Sequence, residues 1–279
     1  MADTKALLIV SHDRSLVELL ERELTPRHCH VRNTRELDEI RNHAFDAVLA
    51  DVRGIEALRL VNGTCPQANV VLVDAAPFAA DDLIAAFREG AYSAFSRPFV
   101  RSLLLDAVEQ ALARPRSPDE LEMLSGIPPW VTFRMRCQFR VIDRMAQFAR
   151  EIDGDLDADT RDHMATALRE LLLNAVEHGG GSDPDKYVYV TRLRTHSWIA
   201  YYIRDPGPGF SLERLPHAAV SNPDDGAIEH LEIRQQLGMR PGGFGITLAR
   251  NLLDGLYYNE KGNEVILVKN LNAPASRSS

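Results

Sequence analysis

The chain predicts two domains in series: an α/β domain with a doubly wound parallel sheet, then an α+β two-layer sandwich in which helices cover a mixed sheet. Three observations lead there. Over residues 1–115 short aliphatic runs alternate with amphipathic helical stretches. A proline-rich segment then interrupts the periodicity. Beyond it, paired strand-like segments surround two long helical ones, so strands outnumber a one-per-helix alternation. A length of 279 residues fits about two domains.

In the first domain Ala6–Val10, Ala47–Ala50 and Val70–Val73 are aliphatic with no polar alternation, the pattern of strands buried on both faces of a parallel sheet. Leu16, Leu19, Leu20 and Leu24 recur at helical spacing within Ser15–Leu24, and Leu83–Glu89 and Leu103–Leu112 behave likewise. The plain alternative is a generic α/β domain of another kind. Residues 116–129, within a stretch carrying four prolines from Ala113 to Pro129, read as a linker. Residues 130–270 form the second domain. Trp130–Cys137 reads as a strand, Val141–Ile152 and Thr160–His178 as helices, and Tyr187–Leu193 with Trp198–Ile203 as an antiparallel pair. Ile246–Leu253 is helical again and Glu264–Val268 is a last strand. Residues 271–279 are small and polar, as a flexible tail is.

Composition narrows the function. Hydrophobic residues at 45% and charged residues at 26% are the balance of a globular protein. A net charge of −8 argues against a broad surface for nucleic acid or anionic membrane. No apolar run approaches the roughly 18 residues of a membrane helix. Cys29, Cys65 and Cys137 stand far apart, as reduced thiols of a cytoplasmic protein do. His28-Cys29-His30 is too tightly spaced on one extended segment to chelate a metal well.

Three pieces carry chemistry. Glu170 and Asn174, four apart, stack on one face of a helix whose other face is Leu168, Leu171, Leu172, Ala175 and Val176. An amide among these residues needs a partner or a ligand. Next, Asp205-Pro206-Gly207-Pro208-Gly209-Phe210 directly follows a strand; its carboxylate can accept from an exocyclic amine, and its glycines let backbone approach a flat ring. Third, Gly242-Gly243-Phe244-Gly245 feeds a helix N-terminus, where unpaired N–H groups and the helix dipole favour phosphate. Singly these are a solvated helix face, a turn and a loop. The spacing is not that of a P-loop.

In this order the three pieces resemble the ATPase superfamily shared by sensor histidine kinases, type II topoisomerases, the Hsp90 chaperone and mismatch-repair MutL proteins, and within it the bacterial anti-sigma-factor serine kinases. The resemblance implies ATP and magnesium as cofactors. It implies that Asn174 ligates the metal, that Asp205 takes the adenine amino group, and that Gly207 and Gly209 shape the pocket wall. Gly243 and Gly245 then lie under the phosphates, Glu170 is the general base, and Ser211–Gly243 is a lid over the nucleotide. One departure concerns the pocket threonine that family members often carry in the last strand region. Here Gly262-Asn263-Glu264-Val265 has no hydroxyl, so adenine contact there differs. His163 shares its helix with Asn174 and reads as a surface histidine, not a phosphoacceptor.

Residues 1–115 resemble a response-regulator receiver through Leu7–Val10 with the polar cluster after it, Asp51 at a strand end, and Arg97-Pro98-Phe99. Phosphorylation needs more. The acidic pair appears as Ser11-His12 with only Asp13 beside it, the hydroxyl position is Asp74, and the lysine position is Arg97. Two carboxylates are missing for magnesium. Asp51 is therefore a doubtful phosphoacceptor, and the domain reads as a degenerate receiver used for docking or dimerisation.

The whole then reads as a regulator that transfers phosphate to a serine or threonine of an anti-sigma antagonist protein. The other reading is a non-catalytic ATP-gated binding module. A sigma factor as a second partner and a homodimer both stay open.

Overall fold

The computed structural model describes residues 4–27, 29–41, 44–51, 54–209 and 245–271. The expected lid Ser211–Gly243, Gly243 itself and residues 272–279 lie outside the described residues. The chain divides into two compact units, one of residues 1–120 with 143–157 and one of residues 121–142 with 158–279.

The first unit has five parallel strands: β1 (Lys5–Val10), β2 (Cys29–Thr34), β3 (Ala47–Ala50), β4 (Asn69–Asp74) and β5 (Ser93–Ser96). Their order, β2-β1-β3-β4-β5, is that of a flavodoxin-like doubly wound sheet. Helices α1 (Arg14–Leu24), α2 (Gly54–Thr64), α3 (Ala80–Arg88) and α4 (Arg101–Ala113) make the crossovers. Leu7–Val10 and Ala47–Ala50 are wholly buried, which is why they show no polar alternation. Leu16, Leu20 and Leu24 carry α1 into the core beside Leu104 and Val108 of α4. The order reverses between β1 and β3, so Ser11, Asp13 and Asp51 meet at the carboxyl ends of those strands.

β5 is an edge strand, and its free backbone groups are capped by a helix. Residues 143–157 hold most of α5 (Phe139–Ile152) and pack with this unit. Arg144 Nε donates to the Tyr92 carbonyl at 3.0 Å, and Gln147 Nε2 donates to the Ala94 carbonyl at 2.9 Å. Glu151 Oε2 accepts from the Ser96 N–H at 3.0 Å and from its hydroxyl at 2.5 Å. Backbone groups two residues apart on a strand and side chains one turn apart on a helix have similar spacing, so the helix stands in for a sixth strand. Phe148 adds an edge-on contact with Phe87, with centroids 4.8 Å apart, and the Arg144 guanidinium lies over the Tyr92 ring.

The second unit is a six-stranded sheet in the order β10-β11-β9-β8-β7-β6. Its strands are β6 (Leu121–Ile127), β7 (Trp130–Arg136), β8 (Tyr187–Arg194), β9 (Trp198–Arg204), β10 (Gly255–Tyr258) and β11 (Glu264–Asn270). The helices are α6 (Ala158–Asn174) and α7 (Gly245–Leu252). Leu168, Leu171 and Leu172 of α6 are buried, as are the inward residues Val188, Val190, Ile203 and Leu267 of the sheet.

Three expectations change. The stretch read as a linker, residues 116–129, holds a short 3-10 turn and then β6, paired with β7 across Pro128 and Pro129. Its apolar residues do not alternate strictly, because a bulge falls between Met123 and Ser125, and so its strand pattern is faint. Every pairing in the second sheet is antiparallel, where a mixed sheet was expected. The cause is the pair of helices α5 and α6 between β7 and β8: two helices return the chain reversed, whereas one would return it parallel. The first domain does not end at residue 115, since residues 143–157 cluster with it.

Candidate functional site

The site in the second unit begins on α6. Glu170 and Asn174 are both half-buried on successive turns of this helix. The helix does not simply stop after Asn174. Residues Ala175–Gly179 form a π turn, with the Gly180 N–H bonded to the Ala175 carbonyl at 2.8 Å. Such wider turns are common at functional sites. This one carries Gly179 against Asp205, at the end of β9. A Cβ on Gly179 would stand 2.3 Å from the Asp205 carboxyl carbon, and one on Gly207 would stand 2.7 Å from the Gly179 carbonyl oxygen. Only glycine fits at either place.

Asp205 is half-buried, and Oδ1 accepts from the Gly207 N–H at 2.8 Å. Burial raises its pKa above the usual carboxylate value, against the opposing effects of the Gly207 N–H and the charge of Lys261. Among the described residues neither Asp205 Oδ2 nor the Asn174 amide has a hydrogen-bond partner.

Gly245 opens α7, and the helix places it against Glu170. A Cβ there would lie 2.8 Å from Glu170 Oε2. Glu170 Oε1 is 3.7 Å from Arg169 Nη1. Thus Glu170 meets Gly245, and Asp205 meets Gly207. Gly209 has φ +83°, and a Cβ on it would lie 1.8 Å from the Lys261 carbonyl oxygen.

Gly179 was legible only as part of a helix-ending glycine run, and its packing role was not. Tyr258 is a further residue of this region that the sequence did not single out. Its hydroxyl is pushed up to about 12, chiefly by burial, with Arg250 opposing and the nearby Asp205 charge adding. An aromatic in a hairpin carries no pattern that marks it. His163 is exposed, as a surface histidine is. Among the described residues no His, Cys, Asp and Glu cluster could hold a metal.

In the first unit the residues at the receiver-like positions bond to one another. The Ser11 hydroxyl donates to Asp51 Oδ2 at 2.5 Å. Asp13 Oδ1 caps α1 by accepting from the Ser15 N–H at 2.8 Å, while Oδ2 pairs with Arg97 Nη2 at 2.6 Å. Asp51 Oδ1 is buried with no hydrogen-bond partner among the described residues. Asp74 is exposed and turned to its own loop, accepting from the Ala76 N–H at 3.2 Å.

Residues 138–269 match the family described as the histidine kinase-like ATPase domain. The chain is 26% identical over 148 residues to the anti-sigma F factor of Anoxybacillus flavithermus (strain DSM 21510 / WK1), a match covering 49% of this chain and 92% of that protein. Among solved structures, a response regulator from Thermotoga maritima aligns at 22% identity with a TM-score of 0.35, covering 40% of this chain and 99% of that one. The receiver domain of HemR from Leptospira biflexa aligns at 23% identity and a TM-score of 0.36, covering 40% and 98%. The similarity to the histidine kinase-like ATPase domain thus falls in the second half of the chain, over the residues that hold Glu170, Asn174, Asp205 and Gly245. Among the described residues no helix is long and apolar enough to cross a membrane.

Proposed function

We propose that the chain is an ATP-dependent regulator of the partner-switching kind, whose second unit transfers the γ-phosphoryl group of ATP to a serine or threonine of an antagonist protein. The observation that carries this reading is the pairing of Glu170 with Gly245, one turn from the Asn174 amide on the same helix. It puts a carboxylate beside the N-terminus of α7, where phosphates are favoured. Magnesium held by Asn174 would neutralise phosphate charge. Asp205 Oδ2 would accept from the adenine amino group. Glu170 would take the proton of the attacking hydroxyl as its oxygen bonds to the γ-phosphorus and the bond to ADP breaks. The similarity to an anti-sigma F factor supports the substrate class and points to a sigma factor as a second partner.

A non-catalytic reading is favoured by one contact. Glu170 Oε1 lies 3.7 Å from Arg169 Nη1, so the carboxylate already has a charged neighbour in place of a substrate hydroxyl. In that case nucleotide only gates binding.

Nucleotide placement is tested by calorimetry on the full-length protein. Asn174→Ala and Asp205→Asn should each weaken MgATP binding by about 1.5–3 kcal/mol, or roughly one to two decades. Affinities like those of the wild type in both variants would put the nucleotide elsewhere.

The first unit is proposed to act without phosphorylation at Asp51. Ser11 and Arg97 already occupy the groups that would meet magnesium and phosphate. Incubation with acetyl phosphate and magnesium should leave the intact mass unchanged. A stoichiometric phosphoryl adduct that Asp51→Asn abolishes would show instead that the unpaired Asp51 Oδ1 marks a working acceptor.

A further inference from the structure

The hairpin turn between β10 and β11 is braced in a way the nucleotide reading does not use. Asn259 Oδ1 accepts from three backbone N–H groups, those of Gly262 at 2.7 Å, Asn263 at 3.1 Å and Glu264 at 3.2 Å. Its Nδ2 donates to Asn263 Oδ1 at 3.1 Å. Asn263 is 8% exposed, one of few polar side chains so deeply placed in the second unit. It holds Asp205 from both sides of the backbone: the Asp205 N–H donates to the Asn263 carbonyl at 3.0 Å, and Asn263 Nδ2 donates to the Asp205 carbonyl at 3.4 Å. The same turn also touches the far end of the glycine loop, where Gly209 packs on the Lys261 carbonyl.

A buried amide is retained at a cost unless its hydrogen bonds are met. Here its bonds run to the turn and to the backbone of Asp205, not to the wider core. Asp205 stands one residue beyond β9, past the last strand pairing of Arg204 with Glu264. Without Asn263 its backbone would lose a side-chain contact at the point where the ladder ends. The direction of its carboxylate, and hence of Oδ2, depends on that backbone.

We propose that Asn263, set by Asn259, is a positioning residue for base recognition, orienting Asp205 so that the site prefers a purine bearing an exocyclic amine over one bearing a carbonyl. This inference rests on the placement of ATP at Asp205 proposed above.

The test compares MgATP with magnesium inosine triphosphate, in which a carbonyl replaces the amine, by calorimetry on the full-length protein. The wild type should prefer ATP. Asn263→Ala should weaken ATP about tenfold and leave inosine triphosphate nearly unchanged, so the preference collapses. Asn259→Asp keeps the acceptor for the three N–H groups and so keeps the turn, but loses the bond to Asn263 Oδ1. It should lower the preference by about threefold. Adding Asn263→Ala to Asp205→Asn should change the ratio no further. If Asn263→Ala weakens both nucleotides equally, the residue is merely structural and the inference is wrong. An unchanged preference in both single variants overturns it as well, while leaving ATP at the site. If the wild type binds neither nucleotide, the ATP placement itself fails and the inference falls with it.

Discussion

Glu170→Gln should keep MgATP affinity and lose about 10²–10⁴-fold of phosphoryl transfer. The change keeps the size and the hydrogen-bonding reach of the side chain. What it removes is the ability to hold the proton released as the attacking hydroxyl bonds to phosphorus. The carboxylate sits against Gly245 and one helical turn before Asn174, near where phosphates would lie, and no adenine contact depends on it. Affinity and rate should therefore separate. The measurement is single-turnover transfer of radiolabel to an antagonist protein recovered from the native cell, alongside calorimetry of each protein. Equal rates in wild type and variant would remove Glu170 as the base and turn attention to Glu177, on the π turn. Absence of transfer in the wild type to any genuine partner would leave the ATP-gated binding module.

The second large effect is on stability and falls in the first unit. Glu151 is 3% exposed and accepts from the Ser96 N–H, the Ser96 hydroxyl and Gln147 Nε2, the last at 2.9 Å. Glu151→Ala would take this acceptor from the Ser96 N–H and hydroxyl at the edge of β5, and leave Gln147 Nε2 with the Ala94 carbonyl alone of the two. A buried donor left unmet costs about 1–3 kcal/mol, so partial relaxation still leaves a loss of roughly 2–4 kcal/mol. Glu151→Gln retains one acceptor and should lose about half as much. Hydrogen exchange on the full-length protein reads this directly. The Ser96 amide should lose protection by roughly one and a half to three decades in the alanine variant, at about 1.4 kcal/mol per decade. Unchanged protection at Ser96 would mean that α5 does not cap this edge in solution.

Much of the fold was legible because burial writes itself into composition. Leu7–Val10 and Ala47–Ala50 have no polar partner face, and the helical spacing of Leu16, Leu20 and Leu24 matches the face that α1 buries. Edge elements were less so. Cys29–Thr34 alternates in burial without clear apolar periodicity, Ser93–Ser96 is four residues long, and β6 is bulged. Their strand character comes from pairing with a neighbour, which no local pattern records.

For the site, the sequence by itself determined the chemical groups: Glu170 and Asn174 one turn apart, Asp205 before two glycines, and Gly245 at a helix start, because helical and strand-end spacing are local properties of the chain. Only the tertiary structure decided which of them touch. It brought Glu170 to Gly245, Gly179 to Asp205 and Asn263 behind Asp205, across separations from 26 to 75 residues along the chain (170 to 245, 179 to 205, 205 to 263). It also turned Asp13 into a helix cap paired with Arg97 and gave residues 143–157 to the first unit. These outcomes depend on strand order and on which edge lacks a partner, and contacts between distant segments leave no periodic trace in the sequence that makes them.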